Sequence, residues 1–311
     1  MFIKLLSTIS IYFQRKKIFS IEKSMSKLKA IRELGYDFNA EGQLRKIGAN
    51  GCLSNEPFQF NVSNDHLECQ AHYEQLGAAV TEHIYQLLEK EENLLRLPVP
   101  VEAPECSTFI FASKDYETKD VLLILIQGTG AVRAGQWARS LVINDDLETG
   151  TQIPYIRKAI GKGFGVIVMN PNDNHRNGIK ILNSSTSEEH AEYVWKTYVS
   201  TANASSIVIV AHSYGGLLTV MLAEKFKKDF EKRVKAVAFT DSIHSFSGSK
   251  VPNYLKKIAV NWISSPTSLD TPMKTPEYDV TRLSAGHPKH EMTSYVCMSS
   301  VFNFIDEKLN S

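Results

Sequence analysis

The chain has 311 residues, 43% of them hydrophobic and 22% charged, so it is long enough to bury a large core. Its formal net charge of +1 gives no basic surface of the kind that nucleic-acid-binding proteins usually carry, which disfavours direct binding of DNA or RNA. The four cysteines are far apart and form neither a C-x-x-C pair nor a metal-ligand spacing with histidine. We therefore expect reduced thiols, no metal site and no cofactor.

Residues 1–24 are apolar and basic, unlike the rest of the chain. The apolar run is interrupted by Lys4, is followed by Arg15-Lys16-Lys17, and is too short to span a bilayer. It lacks the A-x-A-like cleavage site of a signal peptide and has only the basic, acid-poor character of a mitochondrial presequence. We expect a disordered leader, with the nucleus or cytoplasm favoured over the mitochondrion and the endoplasmic reticulum.

From residue 30 onward, strand-like and helix-like segments alternate. The pattern predicts a hairpin around Glu41-Gly42, a short strand at 58–60 and a helix at 68–92. The unbroken apolar run 121–126 is typical of a strand that is covered on both faces. Further strands are expected at 109–111, 164–169, 207–211, 234–240, 260–264 and 280–284, and further helices at 151–160, 187–202, 216–231 and 250–258.

This alternation predicts an α/β fold. Strands that alternate with helices form a mostly parallel central sheet with helices on both faces. Together with the N-terminal antiparallel hairpin, the element order matches the α/β-hydrolase fold.

The segment 207–216 has the pattern of a nucleophile elbow. A β-branched run leads into Ser213, which small residues flank, and an apolar helical segment follows at once. Such an elbow is a strained turn between a strand and a helix, with the nucleophile at its tip. The first flanking residue is Ala211 rather than glycine, so the match to G-x-S-x-G is incomplete. We predict that Ser213 is a nucleophile on a sharp turn after a central parallel strand.

Candidate partners for the serine follow in the expected chain order. In this fold the acid follows a later strand and the histidine comes last. Asp270 lies just past the penultimate predicted strand and His290 just past the last one, so we expect Asp270 to orient His290. Asp241, at the end of the strand directly after the nucleophile helix, is the alternative acid. His287 precedes a proline, which biases its backbone toward extended geometry, so His290 is the expected base.

An oxyanion hole is predicted beside the serine. Gln127-Gly128-Thr129-Gly130 follows the strand 121–126, where this fold supplies one backbone N–H, and Tyr214 supplies the other. The competing interpretation is a dinucleotide fingerprint. It fails because Arg133 replaces the third glycine and no acidic residue is evident about 20 residues further on at the end of a next strand. We predict oxyanion donors at Gly128 and Tyr214.

A set of motifs extends through the chain. In chain order they are at 127–130, 132–139, 150–154, 165–168, 170–172, 211–216 and 240–242. Together they resemble the Argonaute-binding (Arb-type) domain family, whose animal members are also called family with sequence similarity 172. The resemblance covers residues 33–306, which we expect to form one domain. In the family pattern the first oxyanion position is usually His, whereas this chain has Gln127.

The resemblance has functional implications. It implies an α/β-hydrolase-like regulatory protein of the nucleus or cytoplasm, which links Argonaute and chromatin-remodelling proteins to alternative splicing and retains residual serine hydrolase activity. The alternative is an active serine esterase or thioesterase that uses a triad of Ser213, Asp270 and His290.

Overall fold

The computed structural model describes residues 29–244 and 251–311, and the leader expected at 1–24 lies outside these ranges. The chain forms two compact units. Among the described residues, one comprises those up to Asp37 together with Arg45–Val80, and the other comprises Phe38–Leu44 and those from Thr81 to Ser311. Within the described ranges, no helix combines the length and the apolar character that crossing a membrane requires.

The N-terminal hairpin is confirmed. Its strands are β1 (Tyr36–Phe38) and β2 (Leu44–Lys46). In the turn between them Gly42 has a φ of +74°, a left-handed conformation that glycine adopts without steric cost.

The strand expected at 58–60 does not form. The ring of Phe58 instead stacks on His72 of the long helix α1 (His66–Lys90), with ring centroids 6.2 Å apart. Phe60 packs edge-on against Tyr73 of the same helix. Packing of these aromatic rings on a helix replaces strand pairing in this segment.

An eight-stranded sheet forms the centre of the larger unit. Its strands are β3 (Leu94–Val99), β4 (Thr108–Ser113), β5 (Val121–Ile126), β6 (Gly165–Val168), β9 (Ser206–His212), β10 (Val234–Thr240), β11 (Ala259–Ile263) and β12 (Thr281–Ser284), while β7 (His175–Arg176) and β8 (Ile179–Lys180) form a separate two-stranded sheet. The spatial order is β12-β11-β10-β9-β5-β6-β4-β3. All pairs from β12 to β6 are parallel, and β4 pairs antiparallel with both β6 and β3.

Helices cover both faces of this sheet. One face carries Trp195, Leu218 and Phe230 in a shared apolar core, and the other carries Tyr155 and Phe302, whose rings lie 5.6 Å apart. The remaining helices are α2 (Arg139–Asn144), α3 (Leu147–Gly150), α4 (Ile153–Gly161), α5 (Ser187–Val194) with a π-helical turn at Trp195–Val199, α6 (Tyr214–Lys225), α7 (Lys227–Arg233), α8 (Asn253–Ile258), α9 (Thr293–Val296) and α10 (Met298–Leu309); short 3₁₀ turns lie at Ile31–Leu34, Pro104–Cys106 and His290–Met292.

The predicted α/β-hydrolase-like class is confirmed, with two further differences in detail. The helix expected at 216–231 is interrupted at Phe226, whose ring stacks on Trp195. The strand β3 was not predicted; its pairing with β4 makes it the outer strand of the sheet.

The parallel strands bring three loops together. The register pairs Ile126 of β5 with Ala211 of β9, and His212 of β9 with Thr240 of β10. The loops that follow β5, β9 and β10 therefore begin side by side at the carboxyl edge of the sheet, where open α/β sheets place their functional sites.

Candidate functional site

Ser213 lies on the predicted sharp turn. It has φ of 53° and ψ of −119° between the end of β9 and the start of α6, a conformation that is costly for a residue with a side chain. The flanking glycines permit this turn, because a Cβ on Gly215 would stand 2.5 Å from the carbonyl oxygen of Ile126, and one on Gly216 would overlap Ser242. The elbow geometry predicted for Ser213 is therefore confirmed.

Asp241 is the carboxylate that meets His290. Its Oδ2 lies 2.6 Å from His290 Nδ1, and its Oδ1 accepts the backbone N–H of Ser264 at 3.0 Å. Asp241 has a φ of 48°, a left-handed conformation that Asp tolerates better than most residues. The prediction that Asp270 orients His290 is wrong, and the alternative acid takes this position.

Asp270 is engaged elsewhere for a topological reason. Its carboxylate accepts hydrogen bonds from the indole of Trp262 at 2.7 Å and from the hydroxyl of Ser300 at 2.6 Å. Its backbone N–H donates to Ser284 O at the end of β12, so the segment runs along the outer part of the sheet. Asp241 follows β10, the immediate neighbour of the nucleophile strand, whereas Asp270 follows β11, one strand further away.

The His290–Asp241 pair shifts both pKa values in favour of the charged forms. Burial raises the pKa of Asp241, but the hydrogen bonds from His290 and Ser264 outweigh it, and the net pKa lies below its ordinary value. The hydrogen bond with Asp241 raises the pKa of His290, and burial offsets only part of this effect. The side chain of His290 is 40% exposed and that of Asp241 is 20% exposed, so solvent reaches the pair.

His212 is a second histidine at the site, and it stays neutral. Its ring lies 4.5 Å from the ring of His290, between centroids, and its Nδ1 lies 2.8 Å from Thr240 O. Burial, with a smaller contribution from the charge of His290, lowers the pKa of His212 to about 3. Because His212 directly precedes Ser213, this contact brings the His290 ring to the base of the elbow.

The predicted oxyanion residues flank the serine. A Cβ on Gly128 would stand 2.9 Å from the Cβ of Ser213, so the backbone of the loop lies against the nucleophile. Tyr214 opens α6, where backbone N–H groups lack partners within the helix. Its hydroxyl donates to Glu188, a hydrogen bond that raises the pKa of Tyr214 to about 12.

Gln127 is a buried polar side chain at the first oxyanion position. Within the described residues, neither polar atom of its amide has a hydrogen-bond partner. Gly128, the next residue, is also buried, whereas Thr129 and Gly130 are exposed. The segment 127–130 therefore runs from the interior to the surface beside the serine.

Three further residues shape the site and were not predicted: His212, Ser264 and Asn172. The side-chain amide of Asn172 donates to Gly128 O at 2.8 Å and to Val132 O at 3.1 Å. These two bonds hold both ends of the loop 128–132, called the glycine loop below. The one available signal was an Asn in a turn directly after a strand, a residue type that commonly bonds nearby backbone.

The arrangement has the components of acyl-transfer chemistry. A serine on an elbow, a histidine bonded to a carboxylate and backbone N–H groups near the serine are the parts of a serine hydrolase site. Within the described part of the chain, Ser213 Oγ makes no hydrogen bond; such bonds often tighten only when substrate binds. Across the same ranges, no cluster of three or more His, Cys, Asp or Glu side chains could hold a metal ion.

The topology and the elbow define a protein of the α/β-hydrolase fold. The family model described as "Arb2 domain" matches residues 28–269, and the chain belongs to this family.

Known proteins agree with this assignment. The chain is 38% identical to the cotranscriptional regulator ARB2A homolog of Gallus gallus, over 89% of this chain and 80% of that protein. It is also 38% identical to a FAM172 family protein homolog of Caenorhabditis elegans, over 91% of this chain and 88% of that protein. Among solved structures, the histone deacetylase Clr3 matches with a TM-score of 0.53 at 16% identity, over 83% of this chain and 42% of the Clr3 chain. That structural likeness concerns the fold alone.

Proposed function

We propose that this protein is a serine hydrolase that acts on an ester, thioester or amide. One observation carries the proposal: Ser213 occupies a strained elbow while His290, bonded to Asp241 at 2.6 Å, reaches the base of the same elbow. The nucleophile and the orienting carboxylate follow the neighbouring strands β9 and β10, and the base comes from the loop after β12. Together they supply the three roles of triad chemistry.

In the proposed reaction, Ser213 Oγ attacks the acyl carbon while His290 takes the hydroxyl proton. Asp241 occupies Nδ1 of His290, which leaves Nε2 to accept that proton. The bond to the leaving group breaks as His290 returns the proton to it, and water then releases the acyl group from Ser213 by the same steps. Backbone N–H groups near Gly128 and at Tyr214 stabilise the oxyanion.

A regulatory role is the second candidate, and it is supported by the relatives. Homologues in several animals are named cotranscriptional regulators. We propose by resemblance that this chain acts in the nucleus, with chromatin-remodelling proteins and Argonaute as partners and alternative splicing as the regulated process. The single domain at 33–306 and the leader at 1–24 stay predictions.

A fluorophosphonate probe, which reacts with activated serines, tests the hydrolase proposal. The unaltered protein should be labelled, Ser213→Ala should not, and His290→Ala should be labelled at least about 10³-fold more slowly, because triad members act as a unit. His287→Ala is the matched control and should be labelled within about threefold of the unaltered protein. Equal labelling of His290→Ala and the unaltered protein would rule out His290 as the base.

Capture of partners from nuclear extract, measured on the same variants, separates the two candidates. If regulation depends only on the surface of the fold, Ser213→Ala should bind partners like the unaltered protein. Loss of partner binding in a well-folded Ser213→Ala would show instead that the regulatory role depends on this site.

A further inference from the structure

The loop 128–132 is held by side chains that bind its carbonyl groups. Asn172 Nδ2 donates to Gly128 O at 2.8 Å and to Val132 O at 3.1 Å. The guanidinium of Arg133 donates to Gly130 O at 3.3 Å. Three carbonyl groups of the loop therefore have fixed directions, and the peptide planes that contain them are fixed with them.

The Gly128–Thr129 peptide plane lies beside the nucleophile. A Cβ on Gly128 would stand 3.4 Å from Ser213 Oγ. In a trans peptide the C=O of one residue and the N–H of the next point in opposite directions. Because Gly128 O points to Asn172, the Thr129 N–H points away from Asn172.

We propose that Asn172 is a positioning residue for the oxyanion hole, and that the loop donor it orients is the Thr129 N–H. This inference rests on the proposed hydrolase function and refines the assignment of the donor from Gly128 to its neighbour. Asn172 acts through the peptide plane and does not itself touch the substrate.

Asn172 is suited to this task because its own segment is anchored. The backbone N–H of Asn170 donates to His190 Nε2 at 3.0 Å, and Asn170 Oδ1 accepts the backbone N–H of Ala134 at 2.9 Å. Burial lowers the pKa of His190 to about 3, so its Nε2 remains an acceptor at neutral pH. The hydrogen bond from Asn170 N–H to His190 Nε2 is therefore present at neutral pH.

The chain offers a matched control for Asn172. Asn174 is also half-buried, and its Nδ2 likewise donates to two carbonyl groups, Pro171 O and Ser184 O, each at 2.9 Å. These bonds stay within its own segment and do not reach the glycine loop. Asn172→Asp and Asn174→Asp thus remove equivalent donors, but only Asn172→Asp affects the Gly128–Thr129 peptide.

The test compares fluorophosphonate labelling rates of the full chain and its variants. In Asn172→Asp a carboxylate faces two carbonyl oxygens and repels them, so we expect labelling about 10²-fold slower, the scale of losing one oxyanion donor. Asn174→Asp should stay within about threefold of the unaltered protein. Thermal unfolding shows whether each variant is folded.

A second variant tests the donor directly. Thr129→Pro removes the N–H itself and should slow labelling by a similar factor. If Asn172 acts through that N–H, the double variant should be labelled no more slowly than the slower single variant. Additive losses, or normal labelling of folded Asn172→Asp, would overturn the inference while leaving the hydrolase proposal intact.

Failure of the hydrolase proposal itself would give a different labelling result. If the unaltered protein is not labelled, or Ser213→Ala is labelled equally, the proposed function fails and this inference fails with it. In a crystal structure of the phosphonylated protein, the phosphoryl oxygen should lie about 3 Å from the backbone nitrogens of Thr129 and Tyr214. A phosphoryl oxygen turned away from Thr129 N would overturn the assignment of the donor.

Discussion

Two histidine–carboxylate pairs in the larger unit have similar geometry and different surroundings. His290 lies 2.6 Å from Asp241, and His244 lies 2.8 Å from Asp279. The side chains of the first pair are 40% and 20% exposed, whereas those of the second are 0% and 1% exposed. The pairs therefore differ chiefly in their access to solvent.

The buried pair even includes a serine. Ser242 Oγ lies 2.7 Å from His244 Nδ1, and Arg282 is a further partner of Asp279. Ser242, however, is buried against Gly216, where no acyl group could reach its hydroxyl. A hydrogen-bonded Ser-His-Asp set is thus not sufficient for a site. The elbow adds a strained, partly exposed serine and neighbouring backbone donors.

Asp241→Asn should have the largest effect of any change to the two pairs. An amide cannot hold His290 in the tautomer that accepts a proton at Nε2, and the equivalent change in a known triad costs about 10⁴-fold in rate. We expect a comparable loss in the rate of fluorophosphonate labelling, with little change in thermal stability because the pair is partly exposed.

The matched control is Asp270→Asn, which alters the acid that the sequence favoured. Its partners are Trp262 and Ser300, so labelling should remain within about threefold of the unaltered protein. If Asp270→Asn slowed labelling as much as Asp241→Asn, the assignment of the acid to Asp241 would have to be abandoned.

Asp279→Ala should affect stability and spare the chemistry. It leaves His244 and Arg282 without their shared carboxylate, and breaking a buried pair in this way typically costs about 3–5 kcal/mol. Urea unfolding should show this loss, while labelling per folded molecule stays unchanged. Glu231→Ala, which removes the exposed partner of Lys227, should cost under about 1 kcal/mol.

The cost of Asp279→Ala should also depend on pH. Burial raises the pKa of Asp279, but hydrogen bonds from His244, Val280 N–H and Arg282 hold it at about 2. A depressed pKa stabilises the fold above the unfolded value of 3.8, and that stability is lost as the pH falls toward about 2. If the difference in the free energy of unfolding between the unaltered protein and Asp279→Ala grew as the pH fell, the depressed pKa of Asp279 would be contradicted.

The sequence was most informative where the pattern is local. The strands 121–126 and 234–240 follow from apolar runs, and the elbow follows from Ser213 among small residues. The choice between Asp241 and Asp270 was not local, because it depends on which loop lies beside the nucleophile strand. The bond from Asn172 to Gly128 likewise joins two loops distant in sequence, so no spacing rule could reveal it.

The pH profile of labelling tests the protonation state of the exposed pair. His290 accepts a proton only when neutral, and its pKa is raised above 6.5 by the hydrogen bond with Asp241. Labelling should therefore rise about tenfold per pH unit up to a midpoint above 6.5 and then level off. His212, with its pKa near 3, should add no second step.

The stability that the His290–Asp241 pair contributes should fall as the pH rises, whereas the labelling rate should increase. A raised histidine pKa stabilises the fold below the unfolded value of 6.5, and this contribution is lost as the pH rises through the folded pKa. Unfolding of the protein and of His290→Ala across this pH range should show their difference shrinking while labelling increases. His287→Ala should leave the labelling midpoint in place. A midpoint at or below 6.5 in the unaltered protein would mean that Asp241 does not stabilise the charged form of His290. The pH profile would then give no reason to assign the reaction to the exposed pair rather than to the buried one.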